Sequence, residues 1–206
     1  MQSGGGSERD RVGRAPLTLA LLCLLFLLTV AQRFDDDAIA RQGSLLPSLV
    51  LRRPLQGFRL VTQAFVPNGH LADPLFAGAA IWSFGPPLEG VFGARRLLGF
   101  VLLAALTSGA IALLYGYFHP TFRAQPAHGV GTLGVALTVA FGACFPEARL
   151  AGVGARLFTK VVVGLALVSV LLASQQTSPA APVGALLFSA ALARALDPRR
   201  TMLEAK

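Results

Sequence analysis

Charged side chains are scarce, 14% of 206 residues against 54% hydrophobic, and the mean hydropathy is +0.63. A soluble domain needs about a quarter of its residues charged to cover its surface. The shortage therefore excludes a soluble enzyme or soluble binding module and predicts a polytopic membrane protein. Histidine is scarcer still, with only His70, His119 and His128. A serine-type membrane hydrolase needs a nucleophile within reach of a base, usually His. The predicted fourth span has no Ser and the sixth no His, so no catalytic residue is assigned. Acids at the apolar runs are limited to Asp73 and the border residue Glu89, too few for a clear facing pair of intramembrane aspartates. The two cysteines, Cys23 and Cys144, lie inside apolar segments and no His–Cys spacing suggests a zinc site. Both are expected as free, buried thiols, with no metal and no cofactor.

The formal charge of +8 would suggest nucleic acid in a soluble protein. Here Arg and Lys cluster at the ends of apolar runs, which is how membrane anchors are placed, and no nucleic-acid partner is expected. Residues 1–14 are polar, Gly-rich and aperiodic, a disordered cytosolic tail. Residues 15–196 form the membrane domain and 197–206 a second cytosolic tail. The first span, Ala15 to Ala31, has a cleavable signal peptide as its rival reading, but no Ala-x-Ala-like site precedes Asp35-Asp36-Asp37, which favours a retained anchor. That acidic triplet reads as a solvated run rather than a calcium or partner contact.

A 38-residue segment, Gln32 to Gly69, follows. It holds five arginines and the short amphipathic pieces SLLPSLVL and FRLVTQAF, too short to span a bilayer and suited to its interface. Further spans are predicted at His70 to Leu88, interrupted by Pro86-Pro87, then at Leu97 to Phe118, Gly129 to Phe145, Leu157 to Ala173 and Ala180 to Leu196. Twelve of the 18 basic residues fall on the side of the termini, which places both ends in the cytosol.

The stretch from Thr62 to Arg96 carries the densest motif. His70 and Asp73, at i and i+3, share one side of a helix start. A metal or proton-relay role is one reading, since a polar residue in a membrane is a functional candidate; a structural cap is favoured. Glu89 reads as a loop-fixing ion pair with Arg95 or Arg96. Gly129-Val130-Gly131-Thr132-Leu133-Gly134 matches the dinucleotide pattern G-x-G-x-x-G, but without a preceding strand or a βαβ unit, so close helix packing explains it better. His128 is expected to anchor the fourth span and His119 to lie in a loop.

The order of a short first span, a long interfacial loop, T-x-x-F, H-L and G-x-x-L-E-x-x-x-G-x-x-R (Gly85, Leu88, Glu89, Gly93, Arg96) resembles the rhomboid superfamily. The likeness extends to the Golgi rhomboid-like transmembrane protein 115 family of eukaryotes, through His70-x-x-Asp73, through His128-Gly129-x-Gly131-x-x-Gly134 and through Asp197-Pro198-Arg199-Arg200. Gln63 stands where that family tends to have His. The resemblance implies an all-α, polytopic, rhomboid-like six-helix transmembrane bundle with a long interfacial first loop. Active rhomboids carry Gly-x-Ser-x in the fourth span and a His in the sixth. Gly131 or Leu133 occupies the serine's neighbourhood here, which implies a pseudoprotease.

For such a scaffold the resemblance implies vesicle trafficking, Golgi-to-endoplasmic-reticulum retrograde transport, by binding the transmembrane helices of other membrane proteins or a cytosolic Golgi tethering complex. Its partners would also include the lipid bilayer, and its location the Golgi membrane, with the endoplasmic reticulum or mitochondrial inner membrane as alternatives. The residues of this structural or partner-binding motif are His70, Asp73, Gly85, Leu88, Glu89, Gly93, Arg96, His128, Gly129, Gly131 and Gly134. Two other readings stay open: a structural subunit of a large membrane complex, for example mitochondrial, and a divergent protease using Ser178 or Ser189.

Overall fold

A computed structural model describes residues 15–34, 38–67, 71–150 and 152–172. Apolar runs set the long helices. These are α1 (Pro16–Phe34), α5 (Ala72–Phe92), α6 (Ala94–Phe118), α7 (Val130–Cys144) and α8 (Ala155–Leu172). Between α1 and α5 the chain folds into α2 (Ala38–Gly43), α3 (Pro47–Arg52) and α4 (Arg59–Thr62), with 3-10 turns at Pro54–Phe58 and Gln63–Phe65. Five of the six expected spans are thus helical, and the sixth, at 180–196, lies outside the described residues.

The bundle is built around α7. This helix has 15 residues, 13 of them buried, and at 1.5 Å per residue it is about 22 Å long, short of a hydrocarbon core of about 30 Å. It can be short because its neighbours, rather than lipid, surround it. α5 lies parallel to α7: Phe76 and Ala77 pack on Gly134, and Phe84 meets Phe141 with ring centroids 4.8 Å apart. α1 runs antiparallel to α5, Leu25 against Gly78 and Thr18 against Gly85. α8 closes the other flank of α7, with Val162, Val163 and Ala166 on Val135 and Val139. Phe158 completes an aromatic cluster with Phe84 at 6.1 Å.

Leucine and phenylalanine also face outward. Phe26 and Leu27 on α1 and Leu102, Leu103 and Leu106 on α6 are exposed, a surface that water would penalise and lipid would not. By length and hydropathy α1 and α6 qualify as membrane spans among the described residues.

The connecting segment packs along the second half of α6. The Leu60 carbonyl lies where a side chain on Gly109 would stand, and Pro47 does the same at Gly116. Leu45 and Ala127 exchange backbone hydrogen bonds of 3.1 and 2.8 Å, and the Ser48 N–H donates to Arg123 O at 2.9 Å, so the loop after α6 holds this segment from the far side. Arg59, buried, donates through Nη1 to the carbonyls of Arg41 and Ser44 at 2.9 and 2.8 Å, and through Nε to Gln56 Oε1 at 2.7 Å. A cation thus satisfies carbonyls that the end of α2 leaves open.

Three expectations are corrected. Pro86 and Pro87 do not interrupt the second span, since α5 continues through them to Phe92. A break would strand still more backbone groups in an apolar medium than the two lost N–H groups do. Cys23 is free as expected but exposed on the outer side of α1, not buried among neighbouring helices. The all-α expectation gains one small sheet, a hairpin of β1 (Arg149–Leu150) and β2 (Val153–Gly154). Its turn uses Gly152 at φ +84°, and Ala155 N–H donates to Ala148 O at 2.7 Å to seat the start of α8.

Candidate functional site

The motif residues divide between the two ends of the bundle. Because α5 and α7 run parallel, Asp73, His128, Gly129 and Gly131 share one end, while Gly85, Leu88, Glu89, Gly93 and Arg96 lie at the other. His70 falls outside the described residues.

At the second end the expected ion pair of Glu89 with Arg95 or Arg96 is not what forms. Glu89 is 5% exposed, and its carboxylate accepts from the backbone N–H of Leu17 at 3.0 Å, from the N–H of Thr18 at 2.9 Å and from the Thr18 hydroxyl at 2.8 Å. These are first-turn donors of α1, which no intrahelical carbonyl can reach. The preceding Pro16 has no N–H to satisfy. Glu89 is thus a cap supplied across 71 residues, its carboxyl oxygens accepting from all three donors at the positive end of the α1 dipole. Gly85, one turn earlier, lets Thr18 approach, since a Cβ there would lie 2.6 Å from its methyl carbon. Leu88 is fully buried beside them, whereas Arg95 and Arg96 are exposed. Gly93 joins α5 to α6 at φ +76°, which only glycine adopts without strain.

At the first end, Asp73 sits in the opening turn of α5 and faces α7, where a Cβ on Gly131 would be 3.5 Å from its carboxyl carbon. Leu71 holds the N-cap position of α5 and Asp73 stands one residue inside its first turn. At Gly134 the two helices pack closely, a Cβ there meeting Phe76 at 2.8 Å and the Ala77 backbone at 3.1 Å. The glycine run therefore does pack helices. His128 is half-buried immediately before the N-cap of α7, and His119 is the C-cap of α6, its ring tilted against Tyr115 with centroids 4.4 Å apart.

The polar centre of this end is a residue that the sequence offered only as a departure from a pattern. Gln63 is 0% exposed. Its backbone carbonyl accepts from Gly129 N–H at 2.8 Å, and its side-chain amide reaches Ser108 Oγ at 3.4 Å and Ala105 O at 3.5 Å. Gly129 must lack a side chain because Gln63 Oε1 lies 2.7 Å from where its Cβ would be. Among the described hydrogen bonds Gln63 Oε1 has no donor. Thr132, the one hydroxyl in the first turn of α7, is buried and donates to the carbonyl of Gly129 in its own helix. Gln63 ties the connecting segment to α6 and α7, and Thr18, Ser44, Arg59, Ser108 and Thr138 join Glu89 and Thr132 as the other buried polar residues described. Only the isolated polar letters in apolar surroundings, such as Ser108, could have pointed to them.

An outward-facing apolar bundle around a short, buried central helix defines a membrane-embedded helical scaffold. The sequence matches the eukaryotic integral membrane protein family DUF1751 over residues 17–194, and the chain belongs to that family. No match was found among curated proteins.

Proposed function

We propose that this chain is a non-catalytic, rhomboid-like membrane scaffold that acts in vesicle trafficking, in Golgi-to-endoplasmic-reticulum retrograde transport, by binding transmembrane helices or tethering factors. The observation that carries the non-catalytic part is the start of α7. There Gly131 or Leu133 occupies the neighbourhood where the resemblance puts the nucleophile of active rhomboids, and the hydroxyl between them, Thr132, donates to its own helix backbone. That contact supports a structural role for the hydroxyl, since a nucleophile needs a base within hydrogen-bond reach to take its proton. Membership of an integral membrane family supports the membrane setting; the trafficking part follows from the rhomboid-like motif order.

The test is complementation in cells lacking the protein, with Golgi glycosylation as readout, alongside localisation of a tagged copy. Thr132→Val is expected to rescue as well as the unmodified chain, and the tagged copy to co-purify with a tethering complex from Golgi membranes. Loss of rescue by a Thr132→Val protein that still folds sinks the non-catalytic reading. A mitochondrial location with stoichiometric complex subunits sinks the trafficking reading.

A further inference from the structure

Helix contacts fix a common level across the bundle. Leu25 of α1 stands against Gly78 of the antiparallel α5, and Thr18 against Gly85, so Pro16 at the start of α1 is level with Pro87. Ala77 of α5 meets Gly134 of the parallel α7, and Phe84 meets Phe141, so Pro87 is level with Cys144 at the end of α7. α8 runs antiparallel to α7 with Thr159 against Gly142, which puts Leu157 at the same level. α1 has the length and hydropathy of a membrane span, and its 19 residues match a hydrocarbon core of about 30 Å. Its start therefore marks the membrane boundary, which crosses α8 at Leu157. Arg156 stands just outside that boundary and Lys160 about 4.5 Å inside it, at 1.5 Å per residue.

Arg156 and Lys160, one turn apart, are exposed, and so are Leu157 and Val161 beside them, at 58% and 50%. A helical side chain leaves its backbone toward the helix start, and the start of α8 lies at the boundary. Lys160 thus carries its ammonium back to the headgroup layer while its stem stays among apolar side chains. Arg149, exposed on the adjoining hairpin, pairs across it with Gly154, two residues before Arg156. Cations in the first turns of a helix work against its dipole, so they do not serve the stability of α8. The chain has no surplus of acid to match them. Glu147 meets Arg156 at 3.2 Å in an exposed pair, and neither Arg149 nor Lys160 has an ion pair among the described residues. Glu89, the other described acid at this end, is taken up by α1. Asp73 lies at the opposite end, and Asp35, Asp36 and Asp37 follow directly on Phe34, the far end of α1. The terminal stretches only add to the excess: residues 1–14 hold three bases against two acids, and residues 173–206 four against two. A counter-anion has to come from outside the chain.

We propose that Arg149, Arg156 and Lys160 form a site for the headgroup of an anionic phospholipid, its phosphate on the cations and its acyl chains along Leu157 and Val161. Charge and depth together select this occupant. The cations are carried to the phosphate layer of the leaflet in which α1 starts, and the side chains next to them in the bilayer are apolar and exposed. Clustered Lys and Arg at that level attract anionic lipid, whereas a zwitterionic headgroup brings no net charge to offset the excess. The site stands independently of the trafficking function proposed above.

Trp82 is the chain's single tryptophan, so a fluorescent reporter can be moved to the site. Full-length Trp82→Phe/Leu157→Trp is reconstituted in vesicles of phosphatidylcholine and phosphatidylserine, with one lipid or the other brominated. Quenching at residue 157 then reads the local preference for anionic over zwitterionic lipid. A preference of about fivefold or more is expected, the worth of one cation at a membrane surface, and it should shrink with added salt. Arg149→Gln/Lys160→Gln is expected to abolish it and Arg149→Lys/Lys160→Arg to keep it, both with unchanged melting because these side chains are exposed. Equal quenching by the two lipids, or a preference that survives the Gln variant, overturns the site. The same preference at Trp82 of the unmodified chain also overturns it, as the mark of a general surface field. A preference that emerges only after Asp197→Asn/Glu204→Gln overturns it in favour of the chain's own tail. One that inorganic phosphate removes, and chloride of equal ionic strength does not, overturns it in favour of a soluble anion.

Discussion

Glu89 concentrates three hydrogen bonds on one carboxylate, so its removal acts at the start of a different helix. Glu89→Ala leaves the N–H groups of Leu17 and Thr18 without acceptors, at a cost of about 1–3 kcal/mol. The expected result is a lower thermal midpoint in detergent, together with faster labelling of a cysteine placed at Leu17. Glu89→Gln, which keeps one acceptor oxygen, should lose less. If both substitutions leave labelling unchanged, Glu89 does not hold α1. Gly93→Ala tests a different cause, because space is open around it and only the backbone objects. It should cost about 1–3 kcal/mol through strain at φ +76°, read by the same melt, with no change in labelling at α1. These residues differ in legibility. Glycine between two apolar runs is a local signal, whereas the partner of Glu89 lies 71 residues away and the charged neighbours Arg95 and Arg96 offered a nearer, wrong answer.

At the scale of elements, the α5–α7 pair and the connecting segment should respond separately. Gly134→Leu inserts a side chain where Phe76 and the Ala77 backbone already stand. Overpacking of this kind costs about 1–3 kcal/mol, and the expected signature is a lower global midpoint. Arg59→Ala instead removes the donors that hold Arg41 O and Ser44 O. Hydrogen exchange should then quicken across residues 38–67 while α5 and α7 stay protected. Uniform exchange throughout the bundle would contradict that separation. Run length made the helices legible and amphipathic spacing made the short pieces at α3 and α4 legible. The continuity of α5 through Pro86 and Pro87 was not, because proline's helix-breaking rule is learned in water, where the broken backbone finds other partners.

For the molecule as a whole, α1 tests retention against cleavage. Its outer side is exposed, and it reaches the bundle through Thr18, Leu21 and Leu25, with Glu89 at its start. Cleavage would leave a buried carboxylate with no donors, so intact-mass measurement of the protein purified from membranes should find α1 attached. A mature chain beginning after residue 34 would refute this.

The membrane class, the approximate limits of five helices and the helix packing at the glycine run 129–134 were determined by the sequence itself. Each depends on how a short stretch of chain partitions between water and an apolar medium, or on the bulk of a single residue. Tertiary structure alone decided that Glu89 caps α1 and that Gln63 is a buried polar hub between the connecting segment, α6 and α7. Hydrogen bonding in a low-dielectric interior is a property of pairs, and the pairs are set by which helices the fold brings together.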